Sequence, residues 1–162
     1  MSAWVQAYVA LGSNLGDQHA HLDAAITALN ANASVRNVIE SPRYSTEPMG
    51  PADQPDYLNS ACSFETDLLP HALLDVLQSI ELEQGRVRPT EPAAIAAQRW
   101  QARTLDLDLL VFGDERIDDD RLIVPHIGIA HRAFVLQPLF DLNPELHVPG
   151  LGAVAKLLAP YT

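Results

Sequence analysis

Between residues 103 and 110 the chain reads Arg-Thr-Leu-Asp-Leu-Asp-Leu-Leu. In an extended strand that alternation puts Asp106 and Asp108 on one face, about 7 Å apart between Cα atoms, with Leu105, Leu107 and Leu109 on the other. Alone, such a pair is an ordinary solvated strand face. Its neighbours change the reading: Arg86, Arg88, Arg99 and Arg103, four of the nine arginines, stand between residues 86 and 103. Their planar, fork-shaped donors suit phosphate oxygens better than lysine does. Surface pairing with the two aspartates would be worth only ~0 to 1 kcal/mol per bridge, and it would leave arginines over. A polyphosphate explains both groups, yet two carboxylates repel a bare triphosphate by about 4 kcal/mol for each close pair of unit charges at an effective dielectric of about 20. Mg2+ between them removes the conflict. It takes hard oxygen ligands from one or two carboxylates plus substrate phosphates, and two ions ~3.5 to 4 Å apart could bridge the pair. The implied chemistry is phosphoryl-type transfer, with the arginines stabilising charge from the other side of the phosphate chain. No G-x-x-x-x-G-K-[ST] loop or kinase signature set is present, so a nucleotide would be held another way. The run Gly12 to Gly16 reads as a tight turn, with Ser13 or Asn14 capping the helix that follows.

The elements that must position these groups follow from patterning. Ala3 to Leu11 reads as a strand, and Leu22, Ala25, Ile26 and Leu29 mark an amphipathic helix after it. Val35 to Tyr44 is a second extended segment, and Ser45 to Asp56 is a loop rich in Pro, Gly and Asp. Tyr57 to Thr66 alternates, with Leu58, Ser60, Cys62 and Phe64 on a core face and Tyr57, Asn59 and Ala61 on a face that is not core. Pro70 opens a helix striped by Leu73, Leu74, Leu77 and Ile80, and Gly85 ends it. A long loop from Arg86 to Arg103 leads to the strand Thr104 to Phe112. Asp118 to Asp120 reads as a solvated turn, and Ala133 to Asp141 as a last helix before a Pro/Gly-rich tail. This order predicts an α+β fold, a ferredoxin-like βαββαβ antiparallel sheet with helices packed on one face and a C-terminal addition, the other face being left for ligands.

Composition bounds the reading. The chain has 162 residues, 48% hydrophobic and 19% charged, which suits one domain spanning residues 1–162. No apolar run reaches the ~18 residues of a membrane span, and the N-terminus lacks the pattern of a signal peptide. A cytoplasmic protein is expected. Cys62, the one cysteine, sits in an apolar alternating run and reads as a small buried residue rather than a nucleophile. The net charge of -11 speaks against broad nucleic-acid binding. Its distribution is uneven: four arginines against Glu91 make residues 86–103 +3, and the remaining six cations and twenty acids make the rest -14. Such a segment suits a compact anion that arrives with magnesium.

Taken in order, six segments resemble the 6-hydroxymethyl-7,8-dihydropterin pyrophosphokinase family of folate biosynthesis. They are Ala10-Leu-Gly-Ser-Asn-Leu-Gly16, Tyr44-Ser-Thr-Glu-Pro-Met-Gly50, Asp53-Gln-Pro-Asp-Tyr-Leu-Asn59, Gly85-Arg-Val-Arg88, Arg103-Thr-Leu-Asp-Leu-Asp108 and Val124-Pro-His126. The resemblance runs from about residue 7 to residue 150. It implies transfer of the β,γ-diphosphate of ATP to the hydroxymethyl group of the pterin, giving AMP. Asp106 and Asp108 would then hold two Mg2+ ions, with Arg86, Arg88, Arg99 and Arg103 as catalytic arginines that also bind ATP. Gln78, Glu81, His126 and Arg132 match further ATP-binding positions. For the pterin, Tyr57 and Phe134 match two sandwiching rings, and Thr46, Asn59, Asp106 and the backbone of Met49 and Gly50 match its polar partners. Trp100 matches a tryptophan on a loop that closes over the site. The same resemblance implies ATP and the pterin as small-molecule substrates; a monomer is expected, with no nucleic-acid partner on the ground of charge and no membrane partner for want of an apolar span. The chain departs from the family pattern in the longer stretch Pro89 to Gln98, in Gln101-Ala102 before Arg103, and in Ile127 after the histidine. Two rival readings of the same residues are a nucleotidyltransferase, which would need basic surface outside the loop, and a non-catalytic ferredoxin-like module that binds a nucleotide through the arginines alone.

Overall fold

A computed structural model of the chain describes residues 3–46, 56–85 and 104–161. Strands β1 (Val5–Ser13), β2 (Val35–Glu40), β3 (Tyr44–Thr46), β4 (Tyr57–Thr66) and β5 (Asp106–Phe112) form one antiparallel sheet in the order β2, β4, β1, β5, with β3 also on β4. Helices α1 (Gln18–Ala31) and α2 (Pro70–Glu83) connect them. This is the expected ferredoxin-like βαββαβ arrangement. A short hairpin, β6 (Ile117–Asp118) with β7 (Ile123–Val124), follows, then α3 (Ala133–Leu142), the hairpin β8 (His147–Val148) with β9 (Gly152–Ala153), and α4 (Val154–Leu158). Among the described residues no helix is long and apolar enough to cross a membrane.

The period-two pattern assigns the first face. Ala7, Val9 and Leu11 of β1 pair with Phe64, Cys62 and Ser60 of β4, and Val9 and Leu11 also pair with Leu109 and Leu107 of β5. Leu22, Ala25 and Leu29 of α1 and Leu73, Leu77 and Ile80 of α2 close over them in one buried cluster. Cys62 is fully buried there, and burial pushes its thiol far above the ordinary range, so it is inert at neutral pH. Pro70 stands in the first turn of α2, and Gly85 follows the helix at φ +88°, its N–H donating to the Leu82 carbonyl at 3.0 Å.

Local chemistry moved several boundaries. β1 runs on through Gly12 and Ser13 because both pair with β4, opposite Asn59 and Leu58. The cap of α1 is therefore Asp17, whose carboxylate accepts from the Ala20 N–H at 3.1 Å, rather than Ser13 or Asn14. The segment expected as one strand from Val35 to Tyr44 breaks at Ser41–Arg43. Pro42 has no N–H to give, and Ser41 takes over the pairing by donating to the Ala61 carbonyl at 2.8 Å and accepting from its N–H at 3.0 Å. Within β2, Asn37 adopts φ +57° where the register with β4 shifts, and its amide donates to the Glu65 carboxylate. That register shift marks a bulge on an edge strand.

The second face departs from expectation. Ala61 is 1% exposed and Ser63 7%, although both lie on the face of β4 expected to be free. The C-terminal addition covers them, for α3 lies across β4. Val135, Leu136 and Leu139 of α3, with Leu146, Val148, Val154 and Leu158, form a second buried cluster with Tyr8, Leu110 and Val111. A bulge makes this possible, because β5 advances from Leu109 to Val111 while β1 steps once from Val9 to Tyr8. Leu110 and Val111 thus both join the second cluster. At Leu139, 0% exposed in that cluster, truncation to alanine should cost about 2 to 5 kcal/mol in urea unfolding. A cost within about 0.5 kcal/mol, the usual result at an open surface, would contradict this packing.

Candidate functional site

The part of the second face that α3 leaves open is built from the ends of the central strands. Asp106 and Asp108, both half-buried, stand opposite Gly12 and Ala10 of β1. On the other side of β1, Asn59 stands opposite Gly12, and Thr46 of β3 stands opposite Tyr57 of β4. One face of four strands thus gathers Thr46, Tyr57, Asn59, Asp106 and Asp108. Asn59, 8% exposed, donates through Nδ2 to Thr46 Oγ1 at 2.5 Å, which fixes the orientation of its amide and the role of its Oδ1 as an acceptor.

Gly12 is a site residue that sequence reasoning placed in a turn. A Cβ there would lie 3.3 Å from Asn59 Oδ1 and 3.7 Å from Tyr57 Cδ1, so its missing side chain keeps open the space between the amide and the ring. The signal lay in strand register: a glycine two positions beyond Ala10 makes the floor opposite the aspartates shallow. Gln18, the first residue of α1, ties the region together by donating through Nε2 to the Ser13 carbonyl at 3.0 Å and the Asp56 carbonyl at 2.6 Å. It holds the end of β1 beside the start of β4.

Among the described residues β5 is an edge strand, and groups from α2 and from the segment after β7 meet its outer side. Glu81 Oε2 accepts from the Leu107 N–H at 2.8 Å, and the His126 N–H donates to the Leu110 carbonyl at 2.9 Å. Glu81 is 0% exposed. The resemblance gives this carboxylate a place at the nucleotide, and in the structure one of its oxygens bonds the strand's main chain. Gln78, one turn earlier on α2, is half-buried.

The segment after β7 carries the remaining groups. His126 Nδ1 accepts from the Gly128 N–H at 3.0 Å, so the neutral ring carries its proton on Nε2. Burial and the Arg132 guanidinium lower the pKa of His126, and the charge of Asp106 offsets part of this. A Cβ on Gly128 would lie 2.9 Å from both Cζ and Nε of Arg132, so that glycine gives the guanidinium its seat. Arg132 also lies 5.9 Å from the centroid of the half-buried Phe134 ring, within cation–π range. Ile127 is 76% exposed beside this group. His71 and Asp119, 2.7 Å apart, and Arg121 and Asp75, 2.6 Å apart, join α2 to the β6–β7 hairpin and its turn. They are surface contacts away from the site's chemistry.

Met49, Gly50, Arg86, Arg88, Arg99, Trp100 and Arg103 lie outside the described residues, as does the stretch Pro89 to Gln98. Among the described residues no group of three or more His, Cys, Asp or Glu side chains is arranged to hold a metal ion. Two carboxylates on one strand face suit an ion that brings other ligands with it, such as Mg2+ on substrate phosphates. The chemistry of these two donors therefore fits Mg2+ carried by a nucleotide.

Known proteins share both the sequence and this architecture. The family model for 7,8-dihydro-6-hydroxymethylpterin-pyrophosphokinase (HPPK) matches residues 8–144. The 2-amino-4-hydroxy-6-hydroxymethyldihydropteridine pyrophosphokinase of Pseudomonas aeruginosa is 48% identical over 152 residues, covering 94% of this chain and 89% of that one. The protein of the same name from Haemophilus influenzae is 42% identical over 157 residues, covering 97% and 93%. The crystal structure of wild-type HPPK-DHPS from Plasmodium falciparum with pteroate matches with a TM-score of 0.73 at 15% identity, covering 99% of this chain and 43% of that one. At that identity the likeness is one of fold, and the chain spans less than half of the solved protein.

A pH dependence follows from the imidazole. Because its folded pKa lies below the ordinary 6.5, the unfolded chain takes up this proton first as pH falls. Stability is therefore unaffected by this group well above pH 6.5 and drops as pH falls from there toward the folded pKa. Urea unfolding between about pH 8 and about pH 5 should show His126→Gln losing less stability than the unaltered protein over the acidic half of the series. Parallel curves would refute the lowered pKa.

Proposed function

The chain belongs to the 7,8-dihydro-6-hydroxymethylpterin-pyrophosphokinase family, and from that membership we infer that it catalyses ATP-dependent pyrophosphoryl transfer to hydroxymethyldihydropterin in folate biosynthesis. The hydroxymethyl oxygen attacks the β-phosphorus of ATP, the bond from that phosphorus to the α,β-bridging oxygen breaks, the hydroxyl proton passes to water, and AMP leaves with the bridging oxygen. The observation that carries the reading is one sheet face on which two carboxylates, an oriented amide–hydroxyl pair and a half-buried ring surround the floor at Gly12.

Each group has a task that its chemistry suits. A flat, polar heterocycle calls for stacking and for an edge that both donates and accepts. Tyr57 and Phe134 supply rings, Asn59 held by Thr46 supplies the edge, and the resemblance adds the backbone of Met49 and Gly50. The Nε2–H of His126 and the guanidinium of Arg132 face the anion as donors, with Gln78 at the nucleotide. Arg86, Arg88, Arg99 and Arg103 neutralise the phosphate chain, and Trp100 belongs to the loop that covers it. Asp106 and Asp108 would hold two Mg2+ ions, which when bound neutralise the charge between carboxylates and phosphates and orient the attacking and leaving oxygens. Because positioning and charge stabilisation supply most of the catalysis in such a transfer, a rigid strand face is the part that matters. The enzyme works in the cytoplasm as a monomer on two small molecules. ATP is at hand there, a lone reduced thiol such as Cys62 suits the compartment, and the net charge of -11 disfavours extended polyanions.

Incubation with ATP, Mg2+ and the reduced hydroxymethylpterin should yield AMP and the pterin diphosphate in equal amounts, and chelation with EDTA should stop it. ADP or free pyrophosphate as the product would overturn the assignment, the latter in favour of nucleotidyl transfer. Asp108→Ala should lower turnover by about 100-fold or more and leave the urea midpoint within about 0.5 kcal/mol of the unaltered protein. Near-normal turnover in that variant would remove Asp108 from the metal site.

A further inference from the structure

We propose that Glu81 is a positioning residue that acts on the reaction through the main chain of Leu107, holding β5 so that Asp106 and Asp108 present their carboxylates as one unit. The inference rests on the metal role of those aspartates stated above. The argument begins with the ladder. Among the described residues β5 has β1 on one side only, and in an antiparallel pair successive residues turn their main-chain groups alternately toward and away from the partner strand. With the Leu107 N–H on Glu81, Leu107 is a position that turns away, and Asp106 and Asp108, opposite Gly12 and Ala10, turn toward β1. The one link between the two aspartates thus has no strand to hold it, and Leu107 is buried, so water does not serve as its acceptor.

Glu81 fills that position at the open edge of β5, reaching it from α2. α2 packs on the first face, with Leu77 and Ile80 in one cluster with Leu107 and Leu109, while the aspartates project from the second. The Glu81 bond is therefore to the main chain between the aspartates and not to either carboxylate. A buried carboxylate is costly unless its bonds are strong. A charge-assisted bond to a main-chain N–H, roughly twice as strong as a neutral one, is a reason for such a group to stand where leucine would pack. Its effect is to limit sliding and twisting of the strand at the residue between two mutually repelling carboxylates. This is the outer-shell support that metal ligands require, and its loss elsewhere costs about 10- to 100-fold in metal affinity.

The test uses Glu81→Gln, which keeps an acceptor oxygen and removes the charge, and Glu81→Leu, which removes both. Two readouts are independent of turnover: hydrogen exchange of the Leu107 amide by NMR in the ligand-free protein, and Mn2+ affinity in the presence of a non-hydrolysable ATP analogue. In the unaltered protein the Leu107 amide should exchange slowly despite its edge position, and fast exchange there overturns the proposal without any variant. Glu81→Gln should keep that protection and bind Mn2+ within a few-fold of the unaltered protein. Glu81→Leu should lose the protection and bind Mn2+ about 10- to 100-fold more weakly. Equal damage from Gln and Leu would mean that the charge itself meets the ligand. A raised KM for ATP with unchanged Mn2+ affinity would place Glu81 at the nucleotide. Either result refutes the positioning role. Failure of the unaltered protein to bind Mn2+ with the analogue would instead overturn the metal role of the aspartates, with the amide result unaffected.

Discussion

Two carboxylates two positions apart on the last strand of a sheet repel each other and, among the described residues, have a neighbouring strand on one side only. Much of the described structure answers that constraint. Leucines alternate with the aspartates and lock β5 into the first cluster from behind. β1 supplies Ala10 and Gly12 opposite them, residues too small to crowd the space in front. The open edge receives a carboxylate from α2 at Leu107 and a main-chain N–H from His126 at Leu110, so elements distant in sequence converge on one strand. The charge that makes the pair expensive to hold is also what makes it useful to a cation.

The second face of the sheet is divided by side-chain size. Along β1 the residues on that face run Tyr8, Ala10, Gly12. At the Tyr8 end the surface is tall and apolar, and the C-terminal addition packs on it, with Asn143 Nδ2 donating to the Tyr8 hydroxyl at 3.2 Å. At the Gly12 end the surface falls away, and the polar groups of β3, β4 and β5 surround the depression. Tyr44 of β3 reaches Asp141 of α3 by a hydrogen bond that raises the phenol's pKa, which joins the covered half to the edge of the open one. Folding and ligand binding therefore share a single surface without competing for the same residues.

Features that depend on residues close in sequence were legible: the alternation of Asp106 and Asp108 with leucines, the burial of Cys62, and the entry of α2 at Pro70 with its exit at Gly85. Those that depend on what lies across the sheet were not. Gly12 looks like part of a turn until β4 and β5 are set on either side of it. Asp17 outcompetes Ser13 and Asn14 as a cap because strand pairing has already claimed Ser13 and buried Asn14. Ala61 and Ser63 carry no mark of what covers them, since the covering residues arrive from the other end of the chain. Glu81 is the sharpest case. Family resemblance marks the position, and the hydrogen bond to Leu107 shows one task of its carboxylate.

The opposite edge of the sheet has a different problem, since β2 exposes a strand side, and Ile39 on it is 60% exposed. Such an edge is a template on which a second chain can add a strand and begin aggregation. The bulge at Asn37 breaks that template. With φ at +57° and the register shifted between Arg36 and Ile39, the edge presents no regular row of donors and acceptors. Arg36, whose guanidinium stacks 4.0 Å from the centre of the Trp4 ring, adds a charge that an incoming strand would have to desolvate. A residue remote from the chemistry thus removes from this edge the regular row of groups on which a second copy could pair.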